Sequence, residues 1–214
     1  MSVLSLCDLT TTSAIPWAKA GHDVYCVDIQ HPPGTTSTPV GDGHIIRVGA
    51  DLNTWQPPLG QPIAFVAAFP PCTDVAVSGA RWFRAKGLAG LIQALTLVER
   101  CRTIAEATDA PWFLENPVST ISTYWRKPDH TFHPYEYGGY PGGAGDGYTK
   151  KTCLWTGGGF VMPDPDPIPL DPDTHNRIHH ASPGPDRSNV RSATPVGFAQ
   201  AVYQANRPAA EVTS

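Results

Sequence analysis

Residues 62–69, Pro-Ile-Ala-Phe-Val-Ala-Ala-Phe, are apolar without a break, and two further prolines, Pro70 and Pro71, follow directly. A run this short, with no 3.6-residue spacing, reads as a buried strand. The prolines forbid both its continuation and a helical turn at Pro70. Cys72 is therefore delivered at the carboxyl end of a central strand. In an open α/β sheet that rim is where ligands bind, which makes its thiol a candidate nucleophile.

The surrounding pattern alternates strand and helix signals. Residues 3–7, 23–28 and 44–48 read as short strands, with a helix over 14–20 after the first. Leu91, Leu95, Val98, Cys101 and Ala105 recur at helical spacing, which predicts the longest helix over 88–107. Residues 111–114 predict a fifth strand ending at Glu115-Asn116-Pro117. This order implies a doubly wound, mostly parallel α/β sheet with helices on both faces.

Past Thr120 the pattern loosens into a small loop-rich C-terminal part. Residues 135–137 and 152–155 read as strands, separated by a glycine-rich turn or lid over 138–147. The alternating prolines of 163–169 read as an extended surface segment. Thr194, as an N-cap before Pro195, predicts a closing helix through Phe198, Val202 and Tyr203.

A chain of 214 residues suits one domain. No apolar run is long enough to span a bilayer, and the N-terminus lacks the basic-then-apolar layout of a signal peptide, so no membrane association and a cytoplasmic location are expected. Five cysteines with no Cys-x-x-Cys read as reduced thiols. His175, His179 and His180 include an H-x3-H spacing, but without a Cys-x-x-Cys partner no metal site is expected. The net charge of −4 argues against a protein that coats nucleic acid. It leaves room for a local basic groove if Arg81, Arg84 and Lys86 converge with Arg126, Lys127, Lys150 and Lys151. Arg177, His179 and Arg187 are further candidates for phosphate contact.

Two constellations carry chemistry. Asp8, Asp28 and Asp51 each follow one of the first three strands. A carboxylate after the second strand can accept both hydroxyls of a ribose, and a polar residue after the third can address an adenine amine, so the succession suits a nucleoside-bearing cofactor. Cys72 and Glu115 stand at the ends of neighbouring strands. A thiolate can add to an electron-poor ring carbon when a nearby acid protonates the ring, and Glu115 is placed to be that acid.

Together with residues 3–28, the Pro70-Pro71-Cys72 turn, Glu115-Asn116-Pro117, Lys150-Lys151-Thr152 and Asn189-Val190-Arg191 with Thr194 form an ordered set. It resembles the motifs of the DNA cytosine-C5 methyltransferases. The resemblance implies a class I methyltransferase, Rossmann-like fold, with S-adenosylmethionine as methyl donor and cytosine in DNA as substrate. Carried over, Cys72 is the nucleophile toward cytosine C6, Glu115 the partner of N3, and Lys151 the cation beside the flipped base. The cofactor would lie against Asp8, Thr10 and Thr12 of the first loop, Asp28 and Ile29 of the second, Asp51 and Leu52 of the third, and Pro70. Pro71, Asn116, Lys150, Arg81 and Arg84 would contact the substrate. Residues 1–156 and 189–207 would form the catalytic part, and 157–188 a proline-rich insert in place of a target-recognition domain.

The chain departs from that family's pattern at three places. The first loop reads Asp8-Leu9-Thr10-Thr11-Thr12-Ser13 where the family is glycine-rich, Thr73-Asp74 stands where it usually has Gln, and the insert is short. A free pyrimidine nucleotide (dCMP) or single-stranded DNA is therefore an alternative substrate for the same chemistry, and a non-catalytic nucleic-acid-binding relative is the alternative from another class.

Overall fold

The computed structural model describes residues 1–58, 60–170, 172, 175 and 192–208. Eight strands form one sheet in the order β3-β4-β2-β1-β5-β6-β8-β7. They are β1 (Ser2–Leu6), β2 (Asp23–Val27), β3 (Gly34–Val40), β4 (Gly43–Gly49), β5 (Ile63–Ala68), β6 (Trp112–Pro117), β7 (His130–Phe132) and β8 (Thr152–Gly157). The central five, β4-β2-β1-β5-β6, are parallel, while β3 closes one edge and the β8–β7 pair the other through antiparallel pairings. The expected α/β sheet, mostly parallel, is present.

Strand periodicity sorts the core into two layers. Val3, Val24, Phe65, Phe113 and Leu154 face Trp17 and Ala18 of α1 (Ile15–Lys19), and Phe198, Ala201 and Val202 of α4 (Val196–Asn206). Leu4, Leu6, Val66, Leu114 and Trp155 face Val98, Cys101 and Ile104 of α2 (Phe83–Glu106), with Ile121 of α3 (Ile121–Tyr124). Both faces are therefore covered. Gly87, at φ 68° and ψ −169°, breaks α2 near its start, so its regular part runs from Leu88, where the apolar spacing places it.

Several expectations are corrected. Residues 135–137 belong to a 3-10 turn, Pro134–Tyr137, because Pro134 opens a turn that the Glu136 carboxylate closes by accepting from the His133 amide at 2.7 Å. β6 extends past the expected 111–114 to take in Glu115, Asn116 and Pro117 and ends there, since β8 pairs with all three. Thr194 is not the N-cap. Pro195 takes that position with extended geometry, and the Asp146 carboxylate caps the helix instead, accepting from the Gly197 amide at 2.8 Å. The same contact docks the glycine-rich segment on α4, and Gly143, Asp146 and Tyr148 are buried. Of the expected turn or lid, a turn is present, the 3-10 turn Gly143–Gly145. β3 was not expected, because Gly-Thr-Thr-Ser-Thr-Pro-Val lacks apolar alternation. It is an edge strand almost fully exposed, where Pro39 is tolerated.

No helix among the described residues is long and apolar enough to cross a membrane.

Candidate active site

From β1 the chain builds outward through β2 to β4, then crosses to the other side of β1 to lay down β5 and β6. The reversal falls between β1 and β5, and a crevice at the carboxyl ends of the strands is expected there. Because these strands are parallel, Asp8, Asp28, Asp51, Cys72 and Glu115 all lie toward one rim of the sheet.

The Pro-Pro-Cys turn is tied to the end of β6. Asn116, which is 1% exposed, donates from Nδ2 to the carbonyl of Pro70 at 2.9 Å. Past the prolines, the Cys72 carbonyl accepts from the amides of Val75 (3.1 Å) and Ala76 (2.8 Å), which folds residues 72–76 into a compact turn. Val77 then donates to the Val118 carbonyl, and the Thr120 amide to that of Val75. Lys86 of α2 closes the arrangement, with Nζ 2.8 Å from Asp74 Oδ1 and donating to the Thr73 carbonyl at 2.9 Å. Cys72 is half-buried within this frame.

The other thiols differ in setting. Burial, then the charge of Asp8, pushes the Cys26 thiol well up. A hydrogen bond with Cys7, then burial, does the same to Cys101, and burial raises Cys153. None of the five cysteines forms a disulfide. Cys72 is the partly exposed thiol that sits outside the core layers.

Glu115 faces the opposite strand at Leu154, and the period of two along β8 carries that face back through Thr152 to Lys150. Lys150 Nζ accordingly lies 3.6 Å from Glu115 Oε1, and both side chains are only 12% exposed. Lys151 faces the other way, on the side of Cys153, whose thiolate its charge favours, and it is exposed. The cation beside Glu115 is thus Lys150, which sequence reasoning had placed second to Lys151. Glu115 Oε1 is buried and accepts no hydrogen bond among the described residues. Such an atom retains capacity for a donor from a ligand.

On the β1 side, Asp8 is buried and organises the loop that follows. Its Oδ2 accepts from Ser5 (2.7 Å) and Ser13 (3.2 Å), and its Oδ1 accepts from the Thr11 amide (2.7 Å) and the Thr10 hydroxyl (3.2 Å). The His31 ring meets the Asp8 carbonyl at 3.1 Å. With this support Thr11 is held at φ 58°, a left-handed conformation in which a β-branched residue is an outlier. The threonine loop therefore makes the turn that glycine would make freely. Thr12, half-buried, opens the short 3-10 turn into α1. Sequence reasoning missed Ser5 and Ser13; the signal was Ser5, a hydroxyl between Leu4 and Leu6.

Asp28 is half-buried, and burial raises its carboxyl above the ordinary value although the Gln30 amide donates to it at 2.8 Å. Ile29 beside it is 73% exposed. A carboxylate short of solvent next to an exposed apolar side chain suits a ribose and the base attached to it. Asp51 is exposed and caps its own turn by accepting from the Asn53 amide at 2.9 Å. The Leu52 side chain is in the core, so only its backbone is left toward the rim, and Arg100 of α2 holds its carbonyl at 3.0 Å.

Pro70 is buried and Pro71 exposed. Arg81, in the 3-10 turn Val77–Trp82, and Arg84, at the start of α2, are exposed. Arg126 does not join them. It pairs with Asp129 at 2.6 Å and donates to the Thr156 carbonyl at 2.9 Å, which makes it a clamp on β8. Arg177, His179, His180, Arg187, Asn189, Val190 and Arg191 lie outside the described residues.

No protein-family model matches this chain, and no curated protein matches it.

Proposed function

We propose that the protein transfers a methyl group from S-adenosylmethionine to C5 of cytosine in DNA, through a covalent adduct of Cys72 at C6. The observation that carries this reading is the pairing of two features at one strand end. The Asn116 amide fixes the turn that presents Cys72. In the neighbouring position Glu115 keeps an unsatisfied oxygen next to Lys150. Two core layers around a doubly wound centre support the class I methyltransferase form of the α/β fold.

The donor set at the carboxyl ends of β1, β2 and β4 fits the cofactor. Asp28 would hold its ribose and Ile29 would cover its adenine, with Asp51 at the adenine edge and the loop shaped by Asp8, including Thr10 and Thr12, along the amino-acid portion. Bound there, S-adenosylmethionine supplies an electrophilic methyl carbon.

The chain's own residues would do the rest. Cys72 adds as thiolate to C6, the C5–C6 π pair moves onto C5, and Glu115 delivers a proton to N3 that neutralises the charge the addition brings to the ring. Lys150 keeps the Glu115 carboxylate paired once that proton has left. After methylation, loss of the C5 proton to water, departure of the thiolate and return of the N3 proton to Glu115 restore the aromatic ring. In a duplex the base must first leave the stack.

Transfer of labelled methyl from S-adenosylmethionine to single strands, duplexes and dCMP, measured with the wild-type chain, Cys72→Ser and Glu115→Gln, tests the reading. Label in DNA that vanishes in Cys72→Ser and falls at least tenfold in Glu115→Gln is the expected result. Label confined to dCMP would move the chemistry to the free nucleotide. No label and no cofactor binding by calorimetry would leave a non-catalytic relative.

A further inference from the structure

Between Asp74 and Glu99 the chain has no acidic residue but three cations, Arg81, Arg84 and Lys86. Lys86 is spent on Asp74 and the Thr73 carbonyl. Arg84 is exposed. Between these arginines stands Trp82, 55% exposed, with the Arg81 guanidinium 5.2 Å from its ring centroid. Tryptophan is usually well buried on average, so a ring left this open beside a cation is the unusual observation.

We propose that Trp82, backed by Arg81 and flanked by Arg84, is a stacking platform for a base of single-stranded nucleic acid next to the one held at Cys72, and that the substrate is accordingly a single strand. This rests on the functional reading above for what occupies Cys72. The platform is fixed relative to the nucleophile from both ends. Upstream, the Val77 and Gly79 amides anchor its 3-10 turn (Val77–Trp82) to Val118 and Ala76. Downstream, Lys86 locks the start of α2 onto residues 73 and 74.

The choice of a single strand follows from charge and shape. A duplex hides its base faces and is held mainly by many phosphate contacts, each adding to the salt dependence. Here the net charge is −4 and Arg126 is committed to Asp129. An exposed aromatic face with one or two arginines is instead the means by which unstacked bases are held, since every base has a π-face.

The test is fluorescence anisotropy of a labelled, cytosine-containing strand of about 12 nucleotides, a length that an ordinary single-strand site covers. It is read without methyl donor on the wild-type chain, Trp82→Ala, Trp82→Phe and Arg84→Ala. Arms with the matched duplex and with a strand made abasic on both sides of the cytosine complete it. Wild type should prefer the intact strand to the duplex, Trp82→Ala should lose about tenfold on the intact strand, and Trp82→Phe should stay within about threefold. On the abasic strand wild type and Trp82→Ala should bind alike, and Arg84→Ala should lower the salt slope by about one phosphate contact. Trp82→Ala binding the intact strand like wild type would overturn the proposal. So would an equal loss on intact and abasic strands, or a wild-type dimer in sedimentation that Trp82→Ala dissociates. Because binding is read without transfer, a chain that needs Trp82 yet methylates nothing refutes the enzymatic reading alone. One that methylates and ignores Trp82 refutes this proposal alone.

Discussion

The side-chain amide of Asn116 holds the carbonyl of Pro70 at 2.9 Å across 46 residues of sequence, and so fastens the turn carrying Cys72 to the strand that carries Glu115. Proline removes the amide that would otherwise pair at this point, and the carbonyl is left for a side chain to satisfy. Asn116 is buried while doing so, which makes the contact a fixed spacer between the turn of Cys72 and the strand end of Glu115.

Asn116→Ala should destabilise the fold by about 1–3 kcal/mol, the cost of leaving a buried carbonyl unpaired. Urea denaturation measures that loss. If the contact is a spacer, adduct formation at Cys72 should also fall by at least tenfold under conditions where the variant is fully folded. A variant that is destabilised but traps substrate at the wild-type rate would show the contact to be structural only.

Lys150 and Lys151 are adjacent in sequence and opposite in role. Lys150→Met removes the partner of a Glu115 that is 12% exposed, and at a separation of 3.6 Å the loss should be roughly 1–3 kcal/mol, below the ~3–5 kcal/mol of a fully buried pair. Lys150→Arg should restore most of it. Lys151→Met, on an exposed side chain, should change stability by no more than about 0.5 kcal/mol. Chemical denaturation of the three variants checks this order, and labelled methyl transfer should follow it.

This contrast also marks what the sequence could and could not convey. The apolar runs at 3–7, 23–28 and 62–69 and the helical spacing from Leu91 to Ala105 were legible because burial on two faces leaves an unambiguous period. Which of two neighbouring lysines meets Glu115 depends on the antiparallel register of β8 against β6, a long-range pairing that no local pattern encodes. β3 was invisible for the opposite reason: an exposed edge strand needs no apolar alternation. Thr11 in a left-handed turn was unforeseen because its support comes from Asp8, which Ser5 and Ser13 hold from two different elements.

Asp28 makes stability depend on pH. Burial raises its carboxyl above the ordinary value of 3.8, so the folded state holds the proton more tightly than the unfolded one. Stability from this group is therefore full below the unfolded value and is lost as pH rises through the folded one. Asp28→Asn should raise the melting temperature at pH 7 and leave it unchanged near pH 3, the acid limit set by the same linkage. The same substitution should weaken binding of S-adenosylhomocysteine, as read by calorimetry. A variant no more stable at pH 7 would contradict the assignment of burial as the cause.

Thr11→Gly should keep the fold. The left-handed conformation costs a β-branched residue about 1–2 kcal/mol, glycine's extra freedom in the unfolded chain offsets about 1 kcal/mol of the relief, and the amide that donates to Asp8 is retained. A net change within about 1 kcal/mol is the expected outcome. Asp8→Ala removes four acceptor contacts and should cost several times more, about 3 kcal/mol or above. Thermal melts of the pair distinguish a loop held by Asp8 from one held by its own threonines.

The most direct measurement is covalent trapping on a single strand containing 5-fluorocytosine, in the presence of S-adenosylmethionine, with the adduct mapped by peptide mass spectrometry. Fluorine at C5 blocks the final elimination, so an enzyme that adds a thiolate at C6 stays attached to its substrate. The account predicts one adduct, on Cys72, absent in Cys72→Ser and slowed at least tenfold in Glu115→Gln. An adduct that persists in Cys72→Ser, or its complete absence from a folded wild-type chain that binds both the strand and the cofactor, would contradict it.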